Sequence, residues 1–117
     1  MDKNFNTGEA RDFLEIRESE EREKKEIERQ STLSVVIDSL KKLFSGTPVE
    51  VYLVGSIVQP YKFQPFSDVD VVLRKFKGDR FLVWTQLETL IKRNVEVIIF
   101  ENCHFQEHVL KSGYKVL

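Results

Sequence analysis

The chain has 117 residues, 41% of them hydrophobic, and its 18 Lys and Arg against 19 Asp and Glu leave a formal net charge of −1. That length buries one core and no second, and a near-neutral balance without a basic stripe argues against a nucleic-acid binder working by counterion release. No apolar run approaches the roughly 18 to 20 residues that span a bilayer, the opening MDKNFNTGEA lacks a basic start and an apolar centre, and Cys103 has no internal disulfide partner, so a soluble, cytoplasmic protein is expected.

Residues 1–8 read as a frayed tail. From Glu9 to Phe44 no proline or glycine interrupts a run rich in Glu, Arg and Lys, which predicts one long helix or two consecutive ones. Its halves differ in kind. The stretch EIRESEEREKKEIERQ, from Glu15 to Gln30, is almost wholly charged, with Glu20 and Lys24, and Glu21 and Lys25, at the favourable i,i+4 spacing, so a mostly solvated helix is expected there. Phe13, Leu14, Ile16 and Ile27 are too sparse for a sustained heptad seam, which leaves self-association through this helix as the alternative to a solvated arm. From Leu33 the pattern sharpens: Leu33, Val36, Ile37, Leu40, Leu43 and Phe44 recur at three and four residues, the mark of a face packed on a core. Gly46, Thr47 and Pro48 end the helix. The expected division is a helical arm over 1–46 and a core over 47–117.

Val49 to Val54 reads as a strand and Asp68 to Leu73 as a second, joined by a polar loop with Pro60, Pro65 and at most one helical turn. Arg74 to Arg80 is a polar connection in which Arg74, Lys75, Lys77 and Arg80 form either a small anion patch or a solvated turn. Phe81 to Arg93 carries Phe81, Trp84, Leu87, Leu90 and Ile91 at helical spacing and is expected to face the core. Val95 to Phe100 is a third strand, and His104 to Lys111 a short helix stopped by Gly113. The predicted fold is a small α/β (α+β) sandwich. If the turn after strand one is to meet the start of strand two, those strands run antiparallel; if Glu96 is to join the same edge, strands two and three run parallel through a helical crossover.

The unusual residues then collect at one sheet edge. Side chains alternate across a strand, so Asp68 and Asp70 share a face, and two carboxylates there repel each other in a setting whose propensity already disfavours Asp. With Glu96 they form an oxygen-donor set suited to Mg²⁺, and the implied substrate is a nucleoside triphosphate. Asp68 and Asp70 would be shared metal ligands, with Glu96 as the third ligand or as the base for an acceptor hydroxyl. Gly55 lets the backbone approach a phosphate, Ser56 adds a hydroxyl donor, and Lys62 can reach a phosphate from the loop. Plainer readings exist: Asp68 and Asp70 as a strand-start cap, and Glu96 as a solvent-facing residue on an edge strand. His104 and His108, at i,i+4 beside Cys103, are expected to be surface histidines in preference to a zinc site.

Gly55-Ser56, an eleven-residue interval, Asp68-Val69-Asp70-Val71 and a later apolar strand bearing an acid resemble the DNA polymerase beta nucleotidyltransferase superfamily. In size, and in the ending HVLKSGYKVL, the chain is similar to the minimal nucleotidyltransferases (MNT), over about Pro48 to Leu117. The resemblance implies Mg²⁺ held by Asp68, Asp70 and Glu96, nucleotide contact by Gly55 and Ser56, and ATP as donor. It also implies a HEPN partner of the toxin-antitoxin type, modified with AMP on a hydroxyl. Ile57, Val58, Gln59 and Pro60 stand where the family often has an arginine and a glycine, and Glu96 where it more often has Asp. The competing expectation is a degenerate module of the same fold that neutralises a partner by contact.

Overall fold

The structure, a computed structural model, describes residues 7–117. The expected tail lies outside these residues except for Thr7 and Gly8, which already belong to the first helix, α1 (Thr7–Phe44). With no breaker in the run, α1 is a single helix of 38 residues, about 57 Å long at 1.5 Å per residue. From Arg11 to Lys25 every residue is exposed, and the first buried one is Glu26. The N-terminal part therefore projects from the body. The radius of gyration of 19.2 Å, against about 13 Å for a compact chain of this length, reflects that projection.

The last turns of α1 are core. Val36, Leu40 and Phe44 are buried, with Leu33, Ile37 and Leu43 packed beside them, as the apolar spacing predicts. The helix stops where Gly46 takes a φ of 79° and the Thr47 hydroxyl donates to Phe44 O at 2.6 Å. The chain then enters β1 (Glu50–Val54), and after the long loop β2 (Val69–Arg74), α2 (Arg80–Ile91) and β3 (Val95–Ile99) follow. Antiparallel pairing of β1 with β2 and parallel pairing of β2 with β3 agree with the directions argued from the site. Asp79 caps α2, its Oδ1 accepting from Phe81 N and Leu82 N at 2.9 and 3.3 Å. The buried row of α2 is Val83, Leu87 and Ile91, with Trp84 partly covered. Phe81 and Leu90, expected to face the core, are exposed instead, because the helix starts at Arg80 and presents the row spaced by four.

Past β3, the short helix α3 (Gln106–Ser112) leaves His104 outside its first turn. The chain then forms a strand too short to announce itself by periodicity. This is β4 (Tyr114–Lys115), antiparallel to β1, which completes the sheet order β3-β2-β1-β4. Gly113 is extended here (φ −72°, ψ 152°), so its need is for space and not for a left-handed backbone. A Cβ at that position would lie 2.4 Å from Val109 O.

The sheet has two covered faces. Val51, Leu53, Val69, Val71, Leu73, Val95 and Val97 pack against α1 and α2; Tyr52, Val54, Val72 and Phe100 pack with Val109 of α3 on the other side. Full burial of such side chains contributes about 1.5 to 3 kcal/mol each. Among the described residues no helix is long and apolar enough to cross a membrane.

Candidate active site

Register puts three residues in a row across the sheet on the α3 side: Val54 opposite Asp70, and Asp70 beside Glu96. The row is where the second hydrophobic layer stops and two carboxylates replace it. Immediately after Val54, Gly55 takes φ 82°, ψ −159°, a conformation open in practice only to glycine. A Cβ there would lie 2.6 Å from Asp70 Oδ2. Gly55 thus serves twice, permitting the backbone turn and leaving room for the carboxylate.

Asp70 is half-buried. Burial pushes its carboxyl up first, and the negative charges of Glu96 and Asp68, with a hydrogen bond to Glu96, push it further, to about 6. Together with Glu96 it opens onto a cleft of about 530 Å³ that also takes in Gly55, Arg80, Asn102, Cys103, His104 and His108.

The structure brings Asp70 and Glu96 together directly. Asp68 is exposed and precedes β2, so strict strand alternation does not govern it, and it lines a neighbouring hollow with Glu96, Trp84, Glu88 and Asn94. Glu96 borders both hollows. Among the described residues no three Asp, Glu, His or Cys side chains are gathered tightly enough to form a ready-made metal cage. What is present nevertheless fits a hard cation in kind: oxygen donors side by side, one of them half-buried and held above its ordinary range by that burial and by its negative neighbours.

Ser56 opens a 3-10 turn, Ser56–Val58, in which Val58 N donates to Gly55 O at 3.3 Å and fully buried Ile57 anchors the loop. Lys62 is exposed. Neither Ser56 nor Lys62 lines the cleft. Arg80 does line it, its Nε donating to Val97 O at 2.9 Å and its guanidinium lying 5.2 Å from the centre of the Trp84 ring. The expected anion patch is thereby divided, since Arg74 instead pairs with Glu50 at 3.5 Å and covers the Phe100 ring. His104 and His108 also line the cleft and are exposed, as expected of surface histidines.

The charged half of α1 is not wholly solvated. Glu26 and Arg29 are 5% and 8% exposed and are bonded to each other. Arg29 Nη1 donates to Ile57 O at 2.9 Å, and Glu26 Oε2 accepts from Tyr61 N at 2.8 Å. Burial alone would raise the Glu26 carboxyl; the hydrogen bonds from Arg29 and Tyr61 and the guanidinium charge outweigh it and hold it below the usual carboxylate range. Nearby, Tyr61 Oη donates to Glu23 at 2.9 Å. The far end of the same loop is held by Arg93, whose Nη2 donates to Gln64 O, Pro65 O and Ser67 O at 3.0, 2.8 and 3.1 Å. Glu26 and Arg29 continue the Leu33, Val36 and Leu40 face at spacings of three and four, a signal masked by their charge, since an i,i+3 Glu–Arg pair is ordinary on any solvated helix.

No family model and no curated protein matches the chain. A chain in a crystal structure of the toxin-antitoxin MntA-HepT superposes on it with a TM-score of 0.50 at 16% sequence identity, covering 75% of this chain and 71% of that one. At that identity the likeness bears on the fold. With a mixed four-stranded sheet, three α-helices among the described residues and a long N-terminal helix, the chain has an α+β fold consistent with the polymerase beta-like type.

Proposed function

We propose that this chain is a Mg²⁺-dependent nucleotidyltransferase of the cytoplasm that transfers AMP from ATP to a hydroxyl on a protein partner. The observation that carries the reading is the pairing of Asp70 with Glu96 beside Gly55, whose missing side chain leaves the space that Asp70 Oδ2 occupies. The likeness to a chain of a toxin-antitoxin structure supports a protein partner, and the motif resemblance supports a HEPN protein as that partner.

Asp70 and Glu96, with Asp68 at the rim, would hold Mg²⁺, which supplies positive charge to offset theirs and that of a triphosphate. Gly55 leaves the backbone open to the phosphates, with Ser56 and Lys62 as donors from the loop that follows it. The cleft is also lined by Arg80, Asn102, His104 and His108, which would serve the acceptor. The acceptor oxygen attacks the α-phosphorus, the bond from that phosphorus to the bridging oxygen breaks, and pyrophosphate leaves with the electron pair. Glu96, exposed on the edge strand, takes the hydroxyl proton.

The test is calorimetric titration with a non-hydrolysable ATP analogue, with and without Mg²⁺, on the natural protein and on Asp70→Asn. Metal-dependent binding lost in the variant is the expected result. Absence of binding at millimolar analogue would overturn the reading.

A second reading, a contact-only module, is favoured by one observation: the projecting part of α1 exposes Phe13, Leu14, Ile16 and Ile27 by 55 to 65%. Pyrophosphate release in the presence of the partner separates the two, since the contact-only module releases none.

A further inference from the structure

We infer that Glu26 and Arg29 of α1 are positioning residues for the nucleotide side of the cleft, acting through the backbone of the turn that follows Gly55. The inference rests on the reading of that cleft as a nucleotide site. Its ground is a pair of charges where the surrounding helix has none buried. Every residue from Arg11 to Lys25 is exposed, and then Glu26 and Arg29 are both enclosed, bonded to each other and to the loop.

Both remaining bonds go to main-chain atoms. Arg29 Nη1 takes Ile57 O at 2.9 Å, and Glu26 Oε2 takes Tyr61 N at 2.8 Å, so one ion pair grips two points of the loop four residues apart. The second point is Tyr61, at φ 63°, a left-handed conformation that is uncommon for a bulky residue and persists only where surroundings impose it. The clamp supplies that imposition, and Arg22, 5.2 Å from the centre of the Tyr61 ring, adds to it.

The consequence reaches Gly55 directly. Ile57 is two residues from it, and the space between Gly55 and Asp70 has no slack, since even a Cβ would approach Asp70 Oδ2 to 2.6 Å. A site of this kind tolerates displacements of only about 0.5 Å. Stability does not account for the choice of charges, because a buried ion pair replaced by apolar side chains of similar volume commonly leaves a protein as stable or more so. A pair of methionines would fill the same space and hold no carbonyl or amide.

That difference is the experiment. The full chain carrying Glu26→Met and Arg29→Met together is compared with the natural protein by thermal unfolding, by calorimetric titration with Mg²⁺ and a non-hydrolysable ATP analogue, and by amide hydrogen exchange at Tyr61. The expected result is an unfolding midpoint equal to or above that of the natural protein, an affinity for the analogue at least about tenfold weaker, and faster exchange at Tyr61. A folded double variant that binds the analogue like the natural protein would overturn the inference while leaving the nucleotide reading intact. Failure of the natural protein itself to bind would instead refute the nucleotide reading, and with it the site that the clamp is said to serve. Should the double variant not fold, Arg29→Lys carries the same comparison. It keeps the charge opposite Glu26 but lacks the planar fork that reaches Glu26 and Ile57 O together, and unchanged affinity in that variant would likewise overturn the inference.

Discussion

Replacing Asp70 with Asn tests the electrostatic account of the site without reference to any ligand. In the folded protein the Asp70 carboxyl is raised from its ordinary value of 3.8 to about 6, which corresponds to about 3 kcal/mol if taken in full. Half-burial and solvent screening reduce that to about 1 to 2 kcal/mol. The sign follows from proton binding. Between 3.8 and about 6 the folded state keeps a proton that the unfolded chain has released, so this contribution to stability is fully present below that window and is lost as pH rises through it. Asn cannot ionise and keeps nearly the same shape. Asp70→Asn should therefore be more stable than the natural protein by about 1 to 2 kcal/mol at pH 7.5, and the difference should vanish near pH 4. Urea denaturation of both proteins at the two pH values measures it. An Asn variant no more stable at pH 7.5, or one whose advantage is the same at pH 4, would refute the assignment of the raised carboxyl to crowding by burial, Glu96 and Asp68.

Two further outcomes follow from the packing. Gly55→Ala places a methyl 2.6 Å from Asp70 Oδ2 at a φ of 82°, so a loss of about 1 to 3 kcal/mol is expected, together with loss of Mg²⁺-dependent binding of the ATP analogue in the calorimeter; an alanine variant that binds normally would contradict the close approach. Leu87→Ala, fully buried in α2, should cost about 2 to 5 kcal/mol in the same urea experiment while leaving analogue binding at low denaturant unchanged, because Leu87 packs with Val69, Val71, Val95 and Val97 on the sheet face opposite Asp70 and Glu96.

The expectations that survived are those resting on short-range regularities. Alternation and apolar runs located β1, β2 and β3, and a three-and-four spacing located the packed turns of α1 around Val36, Leu40 and Phe44. Strand directions followed from requiring the Gly55-Ser56 turn to meet Asp68 at the start of strand two and Glu96 to meet the same Asp pair, and the register brings Val54, Asp70 and Glu96 into one row. Where a short-range rule lost its footing, so did the expectation. Asp68 stands one residue before β2, where alternation no longer applies, and β4 is two residues long, too few for any period.

The sequence by itself determined the kind of fold and singled out Asp68, Asp70 and Glu96 with Gly55 as a candidate site, because glycine and aspartate are unusual enough at strand ends for their placement to be informative. Only the tertiary structure decided which charges matter among many alike. The three-and-four spacing of Leu40, Val36 and Leu33, carried back, reaches Arg29 and Glu26 and misses Glu20 and Lys24, but a helix period does not say what covers that face; the loop does, through Ile57 O and Tyr61 N in particular. Arg80 likewise leaves a run of basic residues to join the acidic cleft, because β3 offers it the carbonyl of Val97. Burial of a charge depends on what the rest of the chain brings up to it, and that is a property of contacts between residues distant in sequence.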